Sequence, residues 1–202
     1  MNNLELTNSE IFSVFEVVME NMQLKFLAGF EELEAMAQIV RSGDVHNVEA
    51  QAAAFYFPRL FYQGFTRGDS CLHNAALNYG YAILRGAIAR NLVMHGLEPC
   101  IGLQYHNQLN SYNLADDLIE PFRPLIDLYV SGLPDTDSDE LTPAVKRSLF
   151  NATNLLMLQD GKKMRVMYAV SRSAASLAKS IVAQKNVLEL PTLMEREEGR
   201  YE

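Results

Sequence analysis

The stretch YHNQLNSYNLADDLIEPFRPLID, residues 105–127, decides the fold. An amide-rich loop with Asn107, Gln108 and Asn110 runs into a helix predicted from roughly Asn113 to Val130. Leu114, Leu118, Ile119 and Phe122 recur at helical steps and mark its buried side. Pro121 and Pro124 lack an amide donor, so the helix must kink or restart there. Asp116 and Glu120 are four apart, and Asp117 and Glu120 three apart, which predicts that Glu120 shares a face with both. Two readings follow. Acids in a first turn gain from the helix dipole, whereas a carboxylate pair with His106 suits Mg²⁺ or Mn²⁺, the nitrogen ligand tilting the choice toward Mn²⁺.

Upstream, HNAALNYGYAILRGAIARNLVMH (73–95) reads as a long helix closed by Gly96, its many Ala and Gly residues suiting close packing. Before it, a helix carries Glu49, Ala52, Ala53 and Tyr56, with Pro58 near its end; Glu49 is an isolated acid on an alanine-rich surface. Residues 8–40 repeat apolar side chains at three- and four-residue steps, from Ile11 and Phe15 to Leu33, Met36 and Ile39. Downstream, SGLPDTDSDELTP is an acidic loop, and NLLMLQDGKKMRVM alternates around Asp160-Gly161, a hairpin signal. A last helix is predicted from about Ser171 to Gln184. The expectation is a mainly α, multi-helix domain with one short β-hairpin near the C-terminus. It divides into an N-terminal helical segment (1–45), a helical domain (46–190) and a frayed tail (191–202).

The 202 residues suffice for one domain with a real core, and the net charge is −8. That charge is unevenly spread. Residues 1–45 hold eight acids against Lys25 and Arg41, whereas residues 146–185 hold eight basic residues against Asp160 alone. Phosphate binding responds to local potential, so the basic segment suits nucleic acid, and equally suits a solvated helix face. Cys71 and Cys100 form no CxxC, which argues against a disulfide framework or zinc knuckle and for a reducing cytoplasm. With no charged-then-apolar leader and no apolar run of spanning length, a cytoplasmic location and no membrane partner are expected.

Four stretches, in order, resemble the helical domain of the CRISPR-associated adaptation integrase, the Cas-one family: SGDVHNVEAQAAAFYFPRLF (42–61), HNAALNYGYAIL (73–84), NQLNSYNLADDLIEPFRPLID (107–127) and the terminal hairpin and helix. The resemblance covers about residues 40–185 and is nearest to the versions from systems with a single-protein effector. It implies a prokaryotic, metal-dependent DNA endonuclease and integrase that joins the 3′-hydroxyl ends of a prespacer duplex to a CRISPR repeat by transesterification. It implies Mn²⁺ or Mg²⁺ held by Glu49, His106 and Glu120, with Asp117 a further acid of the metal site. Arg123 would orient an acid or bind phosphate, and Lys162, Lys163 and Arg165 would contact the DNA backbone. A homodimer or larger oligomer is implied, with or without the Cas-two partner.

Three departures from the family pattern matter. Counting back from NQLN without a gap, the metal-binding histidine falls on Tyr105, and His106 is one residue late. Ala50 and Gln51 stand where the family commonly has a glycine and a second polar residue. The β-rich N-terminal domain of the family is replaced by 45 acidic, helix-patterned residues, so the chain is either trimmed from a longer protein or a naturally shortened integrase. The apolar stripe over 11–40 would then offer a dimer surface or pack on the core. The alternative function is a catalytically impaired DNA-binding or scaffolding subunit. His46, His73 and His95 read as helix-end or surface groups, Tyr79 and Tyr81 as packing residues, and Met157, Met164 and Met167 as filling.

Overall fold

The computed structural model describes residues 30–39, 47–103, 107–133 and 140–194. Its elements are α1 (Phe30–Ile39), α2 (Val48–Leu60), α3 (Leu72–Met94), α4 (Asn113–Ile119), a 3₁₀ turn (Glu120–Phe122), α5 (Arg123–Ser131), α6 (Pro143–Ala152), β1 (Leu156–Gln159), β2 (Lys162–Arg165) and α7 (Val166–Ala183). The described chain is mainly α with one two-stranded antiparallel hairpin near the C-terminus, as expected.

Helix α3 is the axis. Its 23 residues reach about 34 Å, and α4, α5, α6 and α7 all pack on it. Its fully buried Leu77, Leu84, Ile88 and Leu92 fall on one side, and buried Ala76 and Ala89 widen that surface to either flank. Gly80 lets α5 come close. A Cβ there would sit 2.5 Å from Ile126 Cγ2, nearer than any methyl can approach.

At the hairpin tip Asp160 (φ 53°) and Gly161 (φ 68°) are both left-handed, the two-residue turn that matches strand twist. Met157 and Met164 pair across the strands and face the core. The last helix begins at Val166, five residues before the predicted start, because Val166, Ala169 and Val170 already bury a helical stripe. The segment given as a frayed tail from 191 is in part built into the fold. Thr192 exchanges backbone hydrogen bonds with Leu158 at 2.9 and 2.7 Å, and Leu193 is buried. Ser176 and Ser180 of α7 accept the Glu189 and Val187 amides, which docks this strand-like return.

In α1, Leu33 is buried in the core and Met36 packs against it. The rest of the stripe read as a dimer surface, residues 11–29 and 40, lies outside the described residues. Among the described residues, no helix is long and apolar enough to cross a membrane.

Candidate active site

The loop before α4 is anchored by α4 itself. Asn113 Nδ2 donates to the Cys100 carbonyl at 3.0 Å and to the Asn107 carbonyl at 2.9 Å. One turn on, Asp117 Oδ2 accepts the Leu103 amide. Asn113 and Asp117 are four apart and so lie on one side of the helix. They hold Leu103 and Asn107 to the first turns of this helix. Tyr105 and His106, the two candidates for a histidine ligand position, lie outside the described residues.

The three acids of NLADDLIE meet three different partners. Asp116 turns to α3, where Arg85 Nη2 meets its Oδ2 at 2.7 Å and Asn110 Nδ2 donates to the same oxygen at 2.7 Å. Arg85 also donates to Asn110 Oδ1 at 2.9 Å and lies 4.6 Å from the Tyr112 ring centre. Asp117 serves the loop. Glu120, 6 % exposed, has its Oε1 3.2 Å from Arg123 Nη2. Without amides at 121 and 124 the α-helical ladder stops at Ile119 and the chain tightens to a 3₁₀ turn that carries Glu120.

Sequence reasoning missed a further buried acid. Asp127 on α5 is 4 % exposed, and two phenols donate to it: Tyr56 of α2 to Oδ2 at 3.2 Å, and Tyr81 of α3 to Oδ1. Burial pushes the Asp127 carboxyl up to about 6, against the tyrosine hydrogen bonds and the Arg123 and Arg67 charges, which pull it down. Burial first, then the Asp127 charge, holds both phenols well above their ordinary value, so they remain donors. Arg123 and Arg67 lie 5.2 and 5.7 Å from the Tyr81 ring centre. The available signal was an acid inside the apolar run Leu125, Ile126, Leu128.

Glu49 stands in α2 two turns before Tyr56; its side chain lies outside the described residues. Among the described residues no group of three or more His, Cys, Asp or Glu could hold a metal ion. Lys162, Lys163 and Arg165 are exposed on β2, on the hairpin and well apart in sequence from the acids. Arg172, counted with the basic segment, is instead paired with Glu189. His73 was expected at a helix end or on the surface. It does begin α3, but it is buried, edge-on to the Phe61 ring at 5.2 Å. Tyr79 packs against the core, and Tyr81 does more than pack.

Comparison with known proteins agrees with this architecture. Residues 22–138 match the model of the family described as CRISPR associated protein Cas1. The chain is 42% identical over 176 residues to the CRISPR-associated endonuclease Cas1 of Neisseria meningitidis serogroup C (strain 8013), covering 85% of this chain and 58% of that protein. It is 26% identical over 183 residues to CRISPR-associated endonuclease Cas1 1 of Francisella tularensis subsp. novicida (strain U112), covering 81% of this chain and 58% of the relative. The chain thus spans little more than half the length of these relatives. Among solved structures, a casposase bound to integration product superposes with a TM-score of 0.69 at 21% identity, over 96% of this chain and 64% of that one. A Cas6-RT-Cas1–Cas2 complex gives 0.66 at 18% identity, over 96% of this chain and 24% of that chain. The family model takes in the anchored loop, the bent acidic helix and the Tyr81–Asp127 pair, and on that match the chain belongs to the Cas1 family.

Proposed function

We propose that the chain is a metal-dependent DNA integrase and nuclease of CRISPR adaptation, which joins the 3′-hydroxyl ends of a prespacer duplex to a repeat. The observation that carries this reading is the bracketed loop. Asn113 and Asp117 tie Leu103 and Asn107 to the helical run that carries buried Glu120. The name of the 42%-identical relative, an endonuclease, supports the same reading.

The donor chemistry fits a hard divalent cation: Glu49, His106 and Glu120 would hold Mn²⁺ or Mg²⁺ through two carboxylates and an imidazole. Glu120 is buried, with the Arg123 guanidinium 3.2 Å from its Oε1. Asp117 keeps the loop in place while bordering that set. When bound, the ion would neutralise charge on the phosphoryl oxygens and ease departure of the leaving oxygen.

In the joining step the prespacer 3′-oxygen forms a bond to phosphorus as the repeat's own P–O3′ bond breaks. The hydroxyl loses a proton and the departing 3′-oxygen gains one, so one phosphodiester replaces another. Arg123 would hold Glu120 in place. Exposed Lys162, Lys163 and Arg165 would contact DNA phosphates, and the protein would act as a homodimer or larger oligomer, with or without Cas2.

The test incubates a labelled duplex with free 3′-hydroxyls, a plasmid carrying a repeat array and Mn²⁺ with the parent chain, Glu120→Ala and Tyr105→His. Label transfer by the parent and not by Glu120→Ala is expected. Equal transfer by both would overturn the assignment of Glu120. Transfer by Tyr105→His alone, with salt-sensitive DNA binding by the parent, would instead make the chain a catalytically impaired DNA-binding subunit.

A further inference from the structure

One ring joins two of the buried acids, Glu120 and Asp127. The Tyr81 hydroxyl donates to Asp127, whose other oxygen accepts from Tyr56 at 3.2 Å. The face of the same ring lies 5.2 Å from the Arg123 guanidinium, and Arg123 Nη2 is 3.2 Å from Glu120 Oε1. Three helices meet here: α2 brings Tyr56, α3 brings Tyr81, and the 120–131 run brings both acids and the arginine. Arginine is long and rotamer-rich, and this one is 38 % exposed, so its pairing with Glu120 needs something that restricts it. An aromatic face does so, because a guanidinium is held by the ring as well as by the carboxylate.

We propose that Tyr81 and Asp127 are positioning residues for Glu120: Asp127 and Tyr56 lock the Tyr81 ring, and the ring holds the Arg123 guanidinium against Glu120. The inference rests on the proposed role of Glu120 and adds residues that touch neither DNA nor metal. It distinguishes ring from hydroxyl. The ring is the platform and the hydroxyl its lock, so Tyr81→Phe should do less harm than Tyr81→Leu. The proposal also makes Tyr81 act only through Arg123.

Two readouts test it on the full chain. The first is the nuclear magnetic resonance signal of the Arg123 Nε–Hε group, assigned by its loss in Arg123→Lys, which reports guanidinium order without requiring turnover. It should be ordered in the parent, nearly so in Tyr81→Phe, and averaged in Tyr81→Leu. The second is a double-mutant cycle on the strand-joining rate at saturating DNA. Tyr81→Leu should cost about ten- to a hundredfold in the parent background, the scale set by a misplaced catalytic group. It should cost less than about twofold when Arg123 is already Ala, with the DNA dissociation constant little changed. If Tyr81→Leu does not fold, Tyr81→Met, which also lacks the ring, replaces it in both measurements, with the same expected pattern. An unchanged Arg123 signal, or equal costs in the two backgrounds, overturns the proposal. A parent rate that Glu120→Ala leaves intact overturns the reading of Glu120 instead, and the resonance still decides whether Tyr81 orders Arg123.

Discussion

Glu120 and Asp127 stand seven residues apart on one bent helical run, and both are less than a tenth exposed, yet they are accommodated by different chemistry. Glu120 sits beside a guanidinium that is itself partly in water. Asp127 sits under two neutral phenols, with Arg123 and Arg67 acting only at longer range. A charged partner offsets the cost of burying a carboxylate's charge, whereas neutral donors in a dry pocket leave the ionised form costly. One end of the run is therefore built for charge and the other for holding helices together.

The largest expected effect breaks that comparison into function and stability. Glu120→Ala should lower Mn²⁺-dependent strand joining by on the order of 10³-fold, about 4 kcal/mol of transition-state stabilisation, with DNA affinity and the unfolding midpoint nearly unchanged. Asp127→Ala should do the opposite in kind: it removes the acceptor of two buried hydroxyls and its main effect is a lowered unfolding midpoint. Loss of stability in Glu120→Ala as large as in Asp127→Ala would erase the distinction.

Next in size is the contact that brings α3 to α5. Gly80→Ala would drive a methyl into Ile126 Cγ2, 2.5 Å away, beside Tyr81 and Asp127. Overpacking of this kind costs about 1–3 kcal/mol, measured by denaturant unfolding, and Ile126→Ala in the same chain should recover part of it. The strain falls on the Asp127 end first. Full stability in Gly80→Ala would show that the helices can separate without loss.

The pH dependence sharpens the same contrast. Asp127 is raised to about 6 in the fold from an ordinary value of 3.8, so the folded state binds its proton more tightly than the unfolded state does. Its contribution to stability is fully present below about pH 4 and is lost as pH rises through 6. Between pH 4 and pH 7 this is worth roughly 2 kcal/mol. The groups that face it are Tyr56, Tyr81, Arg123 and Arg67, and the two phenols, held well above their ordinary value, stay neutral in that window. Asp127→Asn should therefore flatten the stability profile relative to the parent over pH 4–7. Parallel profiles would mean that Asp127 is ionised throughout.

What the sequence revealed follows how local each signal is. The Asp160-Gly161 turn is written in two residues, and both adopt the left-handed backbone the pair favours. The long helix from residue 72 and the break at Pro121 were legible because periodicity and a missing amide are local facts. The partners of the acids were not. Arg85 meets Asp116 from 31 residues away, Tyr81 meets Asp127 from 46, and Tyr56 from 71; no spacing rule reaches that far. The return of Thr192 to Leu158 escaped for the same reason, since its docking sites are the serines of α7, which read as ordinary helix residues. Glu120 and Arg123 were found together because three residues separate them.

The smallest effect concerns the third acid. Asp116 meets Arg85 and Asn110 in a hydrogen-bonded cluster at the surface, with side-chain exposures of 37 % for Arg85 and 19 % for Asp116. Ion pairs this wet contribute about 0.2–1 kcal/mol, so Asp116→Asn should lower stability by less than about 1 kcal/mol and less still in high salt. Asn retains an oxygen for the Arg85 and Asn110 donors, and the loop is also held by Asn113 and Asp117. Strand joining should consequently stay within about threefold of the parent. The sequence alone placed Asp116 and Glu120 on a common face, which would make the two substitutions comparable in activity. A loss in Asp116→Asn approaching that of Glu120→Ala would remove the division of labour between an acid paired near the surface and one buried beside Arg123.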